Sequence, residues 1–223
     1  MNLSMIKKTK VIIFDVDGTL IDTDNLVINS YHEVFKKYRP NYKLTKEEEI
    51  SFLGPTLASI FPKYFKEDFD TLFQTYRNYA INHQLEDAKL YPNCKEVLSK
   101  LKDKGFKLAI VTSRFKNSLM GLLCDFKIDG YFDFIVTLDD VKKPKPDPEG
   151  INKVLKHFNC SKNEAIYIGD NDTDYYAGQS ARVITGLVTW TKGRDNAYLK
   201  PDILLYSYEQ LYKEITGENL NDK

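Results

Sequence analysis

The sequence predicts an α/β fold: a Rossmann-like parallel sheet covered by helices on both faces, with a helical domain inserted after the first strand. Three observations carry this. Short apolar runs alternate with amphipathic helical patterns along most of the chain. Those runs are apolar almost without interruption, as strands buried on both faces must be. From about residue 21 to residue 88 the strand pattern stops and only helical periodicity is left.

Strands are expected at 10–14, 106–112, 132–137, 165–169, 183–189 and 202–205. The first, Val11-Ile12-Ile13-Phe14, runs straight into Asp15. The next helix opens on Asn93-Cys94-Lys95-Glu96, which reads as a capping box, and stops at Gly105 behind Lys102 and Lys104. Val97, Leu98 and Leu101 share its apolar face. Residues 148–158, 172–181 and 207–215 behave similarly. Inside the insert, Leu26, Ile28, Tyr31, Phe35 and Tyr38 mark one helix, and Phe65, Phe69, Leu72, Phe73 and Tyr76 mark another. Thr45-Lys46-Glu47-Glu48 is a capping box, and Phe52-Leu53-Gly54-Pro55-Thr56 is a turn between helices. The insert is too long for a structureless loop, since such loops rarely exceed ~15 residues. Domains are therefore placed at residues 1–20 with 89–223, and at 21–88. The tail after Gly217 is polar and is expected to fray.

Composition narrows the function. The chain has 223 residues, 42% hydrophobic, with 15 Tyr and 13 Phe, so it folds around a sizeable core. Lys+Arg and Asp+Glu are both 32, giving zero net charge, which disfavours a nucleic-acid binder without excluding a local charge cluster. Zero net charge permits self-association without requiring it. No apolar run approaches a membrane span, and residues 1–10 carry no signal-peptide pattern. Cys94, Cys124 and Cys160 are odd in number and widely spaced, which fits free thiols in a reducing cytoplasm.

Polar groups recur where strands end. Asp15-Val16-Asp17-Gly18 follows the first strand, Thr112-Ser113-Arg114 ends the second, and Gly169-Asp170 ends the fourth, with Asp174 in the helix beyond. Between the third and fourth lies Lys143-Pro144-Lys145-Pro146-Asp147-Pro148-Glu149. Singly, each has a plain alternative: a polar turn at Asp15–Gly18, helix caps at Thr112, Asp170 or Asp172, a solvated surface charge at Lys145. Together they lie at the carboxyl ends of one parallel sheet, where ligands of such folds collect. Asp15, Asp17, Asp170 and Asp174 in one crevice repel one another unless a hard divalent cation joins them. A lysine and a hydroxyl beside that cation suit a phosphoryl group.

DVDGTL at 15–20, Thr112, the KPDP loop and GDxxxD at 169–174 resemble, in order, the four motifs of the haloacid dehalogenase-like superfamily, and the resemblance spans essentially the whole chain. It implies a phosphatase core and a helical cap that closes as a lid. It implies Asp15 as nucleophile forming an aspartyl-phosphate, and Asp17 as general acid and then base, its backbone carbonyl also on the metal. Thr112 would hold a phosphoryl oxygen and Lys145 would neutralise charge, in preference to Lys143, which also begins a Lys-Pro-x-Pro pattern. Asp170 would ligate Mg²⁺ directly and Asp174 would ligate it or orient its waters. The carboxylate at Asp17 separates phosphate chemistry from the dehalogenases, which lack it. One departure stands out: Ala177-Gly178-Gln179-Ser180-Ala181 is followed by Arg182 where the family often has glycine.

Within the family the chain looks most like the phosphoglycolate phosphatase branch and its inorganic pyrophosphatase members, on segments 52–56, 75–77, 136–141 and 189–194. The expected activity is hydrolysis of a small phosphorylated metabolite, phosphoglycolate-like, with pyrophosphate as the alternative. Ser113, Arg114 and Arg77 are candidates to hold the substrate, the two arginines on a second anionic group. A β-phosphoglucomutase-like phosphotransferase is a third reading. A non-enzymatic phospho-receiver module is the rival from another class. Its length, its adjacent acidic pair and its lack of an insert all count against it.

Overall fold

The structure, a computed structural model, describes residue 6 and residues 8–191 and 197–222. In chain order the elements are β1 (Val11–Phe14), β2 (Ile21–Asp22), α1 (Asp24–Tyr38), α2 (Lys46–Ser51), α3 (Leu57–Tyr64), α4 (Phe69–Asp87), β3 (Lys89–Leu90) and α5 (Cys94–Asp103). Then come β4 (Lys107–Val111), α6 (Lys116–Asp125), β5 (Phe134–Val136), α7 (Glu149–His157), β6 (Ala165–Gly169), α8 (Asp172–Ala181), β7 (Ile184–Val188), β8 (Ile203–Leu205) and α9 (Tyr208–Thr216). Six strands form one parallel sheet in the order β5-β4-β1-β6-β7-β8. The chain runs outward from β1 through β4 to β5, then returns to the other side of β1 at β6. That reversal opens a crevice at the carboxyl ends of β1, β4 and β6.

The apolar runs are continuous because both faces of the sheet are covered. On one face Val11, Ile13, Ala109, Val111 and Tyr167 pack with Ile151 and Val154 of α7 and Ala177 and Ala181 of α8. The alternate residues, Ile12, Phe14, Leu108, Ile110, Ile166 and Ile168, are fully buried and point to the opposite side. There α5 and α9 pack together, burying Val97, Leu98, Leu101, Leu211 and Ile215.

The chain divides into two compact units, Met1–Ile21 with Leu90–Lys223, and Asp22–Lys89. The second is made of α1 to α4, with α1 against α4. Its core is aromatic: Tyr31 stacks on Phe52 at 4.3 Å and Phe35 lies 4.7 Å from Phe65. Thr45 and Glu48 form their capping box at the start of α2, and Arg39 grips Glu67 through both terminal nitrogens at 2.9 and 3.0 Å.

Three expectations need correction. Asn93 does not form a capping box: its backbone is left-handed (φ 59°), its side chain accepts no cap hydrogen bond, and its amide instead donates to Glu209. The tail after Gly217 is tied down, with Leu220 buried, the Lys100 ammonium donating to the Leu220 carbonyl and Lys104 paired with Glu218 at 2.6 Å. And the insert is bounded by two short strands, β2 and β3, which pair as a two-stranded ribbon. Arg182, the departure from the family pattern, adopts φ 60°, ψ 36° as the C-cap of α8, the left-handed geometry in which glycine carries no steric penalty.

Candidate active site

The sheet brings the strand-end residues to one edge. Asp15 directly follows β1, and its N–H still bonds the Ile168 carbonyl of β6 at 2.8 Å, so the strand fixes its backbone. Gly18 then turns the chain at φ 75°. The turn's carbonyls are held from outside by two hydroxyls: Thr191 donates to Gly18 at 2.7 Å and Tyr208 to Thr19 at 2.8 Å. Thr112 directly follows β4, buried, its hydroxyl oxygen accepting the Arg114 N–H at 3.2 Å, with Ser113 half-buried between them. Asp170 directly follows β6, and Asn171 caps α8 by accepting from the N–H groups of Thr173 and Asp174. The cap of this helix is Asn171, neither Asp170 nor Asp172.

Three carboxylates converge. Asp15, Asp170 and Asp174 each place an oxygen within 4.8 Å of the others, all of them buried. Lys145 lies among them, its ammonium 2.9 Å from Asp15 Oδ1 and 2.6 Å from Asp174 Oδ1, with only 6% of its side chain exposed. Lys143 is exposed and uses its N–H on Glu149 at 3.0 Å. Asp17 stands apart from the carboxylate group: Arg114 takes it side-on, with Nε at 2.7 and 2.9 Å and Nη2 at 2.6 Å. Arg77 lies on α4 in the helical unit, half-buried. Of the segment 189–194, Lys192, Gly193 and Arg194 lie outside the described residues.

A family model described as haloacid dehalogenase-like hydrolase matches residues 12–188. The chain belongs to this family. Two curated relatives, both pyrophosphatase PpaX, are 37% identical in Bacillus thuringiensis (strain Al Hakam) and 39% in Bacillus anthracis (strain A0248). Each match runs over 218 residues, 95% of this chain and 99% of the relative. Among solved structures, a predicted phosphatase from Clostridium acetobutylicum superposes with TM-score 0.79 at 27% identity, covering 94% of this chain and 99% of that one. CbbY from Rhodobacter sphaeroides, solved in complex with phosphate, shares the fold at TM-score 0.78 and 22% identity, over 91% and 96% of the two chains. The protein is thus an enzyme, a hydrolase whose relatives are phosphatases.

The electrostatics of this hydrolase set its chemistry. Burial pushes the Asp15 carboxyl up to about 7; Lys145 opposes the rise, and the charges of Asp174 and Asp17 add to it. Burial alone would lower Lys145, but Asp15 and Asp174 outweigh it and raise the ammonium above its ordinary value. Three buried carboxylates against one ammonium leave an excess of negative charge. Unit charges about 4 Å apart repel by roughly 4 kcal/mol even at an effective dielectric near 20. Asp15 Oδ1 is buried and, among the described residues, receives no well-aligned hydrogen bond, only the ion pair with Lys145. An all-oxygen donor set with surplus negative charge and an under-satisfied oxygen fits a hard divalent cation.

The sequence reading missed Tyr167, which it counted only as a strand residue. Its hydroxyl donates to Asp174 Oδ1 at 2.7 Å, and burial and the Asp174 charge hold the phenol far above its ordinary range, so it stays a donor. The N–H groups of Asp170 and Asn171 donate to Asp174 Oδ2 at 3.1 and 3.3 Å. Asp174 is therefore fixed on both oxygens. A single polar atom in an otherwise apolar strand is the signal that could have singled it out.

Gly169 is needed by this arrangement. A Cβ there would stand 2.3 Å from the Asp174 Cβ and Cγ atoms. Gly169→Ala is expected to displace Asp174 and with it Lys145, lowering kcat by about 10²-fold, the scale on which ~1 Å misplacements act. Steady-state kinetics beside a circular-dichroism melt checks this; a folded variant with unaltered kcat contradicts it.

Proposed function

We propose that this hydrolase is a Mg²⁺-dependent phosphohydrolase working through an aspartyl-phosphate. The observation that carries the reading is the convergence of three buried carboxylates and Lys145 at the carboxyl edge of the sheet. Among small phosphorylated substrates, inorganic pyrophosphate is supported best. The relatives named for it match at 37% and 39% identity over nearly the whole chain. On that support we favour pyrophosphate over the phosphoglycolate-like monoester expected from sequence. Family membership as a hydrolase removes the receiver module. The helical unit, inserted just after the Asp15–Asp17 loop, is the cap in this reading.

The chain's own residues then act as follows. The Asp15 carboxylate attacks phosphorus, and a bond forms to it as the bridging P–O bond breaks. Asp17 gives a proton to the leaving oxygen, then takes one from the water that cleaves the aspartyl-phosphate. The Thr112 hydroxyl donates to a phosphoryl oxygen, Ser113 assists it, and Lys145 balances the charge of Asp15 and the phosphoryl group. Asp15, Asp170 and the Asp17 backbone carbonyl would hold the Mg²⁺, with Asp174 ligating it as well or orienting its waters. When bound, the ion supplies positive charge for the phosphoryl oxygens.

The test is phosphate release from pyrophosphate, 2-phosphoglycolate and p-nitrophenyl phosphate, with Mg²⁺ and with excess EDTA. Turnover is expected only with Mg²⁺, with kcat/KM for pyrophosphate above that for phosphoglycolate by about tenfold or more. Undiminished activity in EDTA would overturn the mechanism, and a preference for phosphoglycolate would overturn the substrate.

A further inference from the structure

Arg114 is held too firmly to be a chance surface charge. Its N–H donates to Thr112 Oγ1 at 3.2 Å, and its carbonyl accepts the Leu138 N–H at 2.9 Å, so both ends of its backbone are fixed. Ser118, in the first turn of α6, accepts from Nη1 at 3.2 Å. Nε and Nη2 then clasp Asp17 with three contacts of 2.6–2.9 Å. The pair is not part of the core: 29% of the Asp17 side chain and 13% of the Arg114 side chain are exposed. Part-exposed ion pairs add little to stability. What this one does is confine a carboxylate two residues from the nucleophile to a single position, on a cation.

A substrate with a second anionic group alters that balance. Lys145 is already committed to Asp15 and Asp174. Arg114 stands two residues from Thr112, the proposed phosphoryl-oxygen donor, and a guanidinium fork suits a second phosphate or a carboxylate as well as it suits Asp17. The two compete for the same nitrogens.

We infer that Arg114 is an exchange residue: it holds the Asp17 carboxylate in the empty enzyme and passes to the second anionic group of an arriving substrate, freeing Asp17 to turn toward the leaving oxygen. This rests on the hydrolase mechanism above and deepens it. Substrate choice becomes a property of the core turn, because a monoanionic-tail or neutral-tail ester does not draw the guanidinium away equally.

Two arms test it, both on the full-length protein with Mg²⁺. In the first, kcat/KM is measured for pyrophosphate and p-nitrophenyl phosphate in wild type, Arg114→Gln and Arg114→Lys. The ratio of the two values is expected to fall by about thirty-fold in Arg114→Gln, the scale of a lost charge-assisted contact, and to recover in part in Arg114→Lys. Equal losses on both substrates overturn the inference while the mechanism stands. In the second arm, imidodiphosphate, a non-hydrolysable diphosphate, is titrated calorimetrically. Arg114→Gln is expected to bind it about tenfold or more weakly. Unaltered affinity, or a crystal structure of the complex with Arg114 still on Asp17, overturns the inference whether or not the wild type turns over. A wild type inert to every phosphate ester and anhydride, yet binding imidodiphosphate through Arg114, overturns the mechanism and leaves the anion exchange standing.

Discussion

Asp15→Asn is expected to lower kcat for p-nitrophenyl phosphate by about 10⁴-fold or more, since removing a nucleophile that acts within a unit costs on that scale or above. The amide is close in size and shape to the acid but does not attack phosphorus. The fold should survive. Asp15 sits at the end of β1 with its backbone still paired to β6, and Lys145 keeps Asp174 at 2.6 Å. The sign of the stability effect follows from burial, which raises the folded carboxyl to about 7 from an ordinary value of 3.8. A raised acid contributes stability below its unfolded value and loses it as pH rises toward the folded one. In the metal-free wild type, stability attributable to Asp15 therefore falls between about pH 4 and 7. Asp15→Asn lacks that loss, and at pH 8 without metal its melting temperature should equal or exceed that of wild type. A thermal-shift series from pH 5 to 8 in EDTA, beside single-turnover kinetics, checks both halves. Substantial residual turnover removes Asp15 as nucleophile.

The sheet was legible because its central strands are buried on both faces and register as apolar runs: Val11–Phe14 and Ala165–Gly169 have every residue buried, and so has Ile184–Val188, whose run only Thr185 and Gly186 dilute. The candidate site was legible for the opposite reason. Asp15, Thr112 and Asp170 interrupt those runs where the sheet ends. Groups that depend on a partner far along the chain were not legible. Asn93 has the letters of a cap, but φ 59° and Glu209, 116 residues away, take its side chain elsewhere. Tyr167 looked apolar because its hydroxyl meets Asp174 only once α8 folds back. The Asp17–Arg114 clasp joins residues 97 apart. It puts the expected acid and one expected substrate cation on each other, a pairing that neither motif contains. Arg182 is the converse case: the departure from glycine was visible, and its left-handed backbone was not.

Lys145 joins the site to the stability of the whole chain. Its ammonium lies between Asp15 and Asp174, and the three side chains are 6%, 5% and 0% exposed. Lys145→Met keeps most of the apolar stem of the side chain and deletes the ammonium, with its charge and its N–H donors. It leaves two buried carboxylates facing each other with no ammonium between them. Breaking a buried ion pair from one side costs about 3–5 kcal/mol. On a chain of this size that corresponds to a fall in melting temperature of about 10 °C. Turnover should fall with it, because Asp15 loses its neighbouring cation and Asp174 loses the partner that, with Tyr167, fixes Oδ1. The two effects separate on adding Mg²⁺. A divalent cation held by the same carboxylates offsets their repulsion, so it should raise the melting temperature of Lys145→Met more than that of wild type, without restoring kcat. Differential scanning calorimetry at matched Mg²⁺ concentrations reads this directly. Equal Mg²⁺ stabilisation of the two proteins would mean that the ion and the lysine do not serve the same carboxylates.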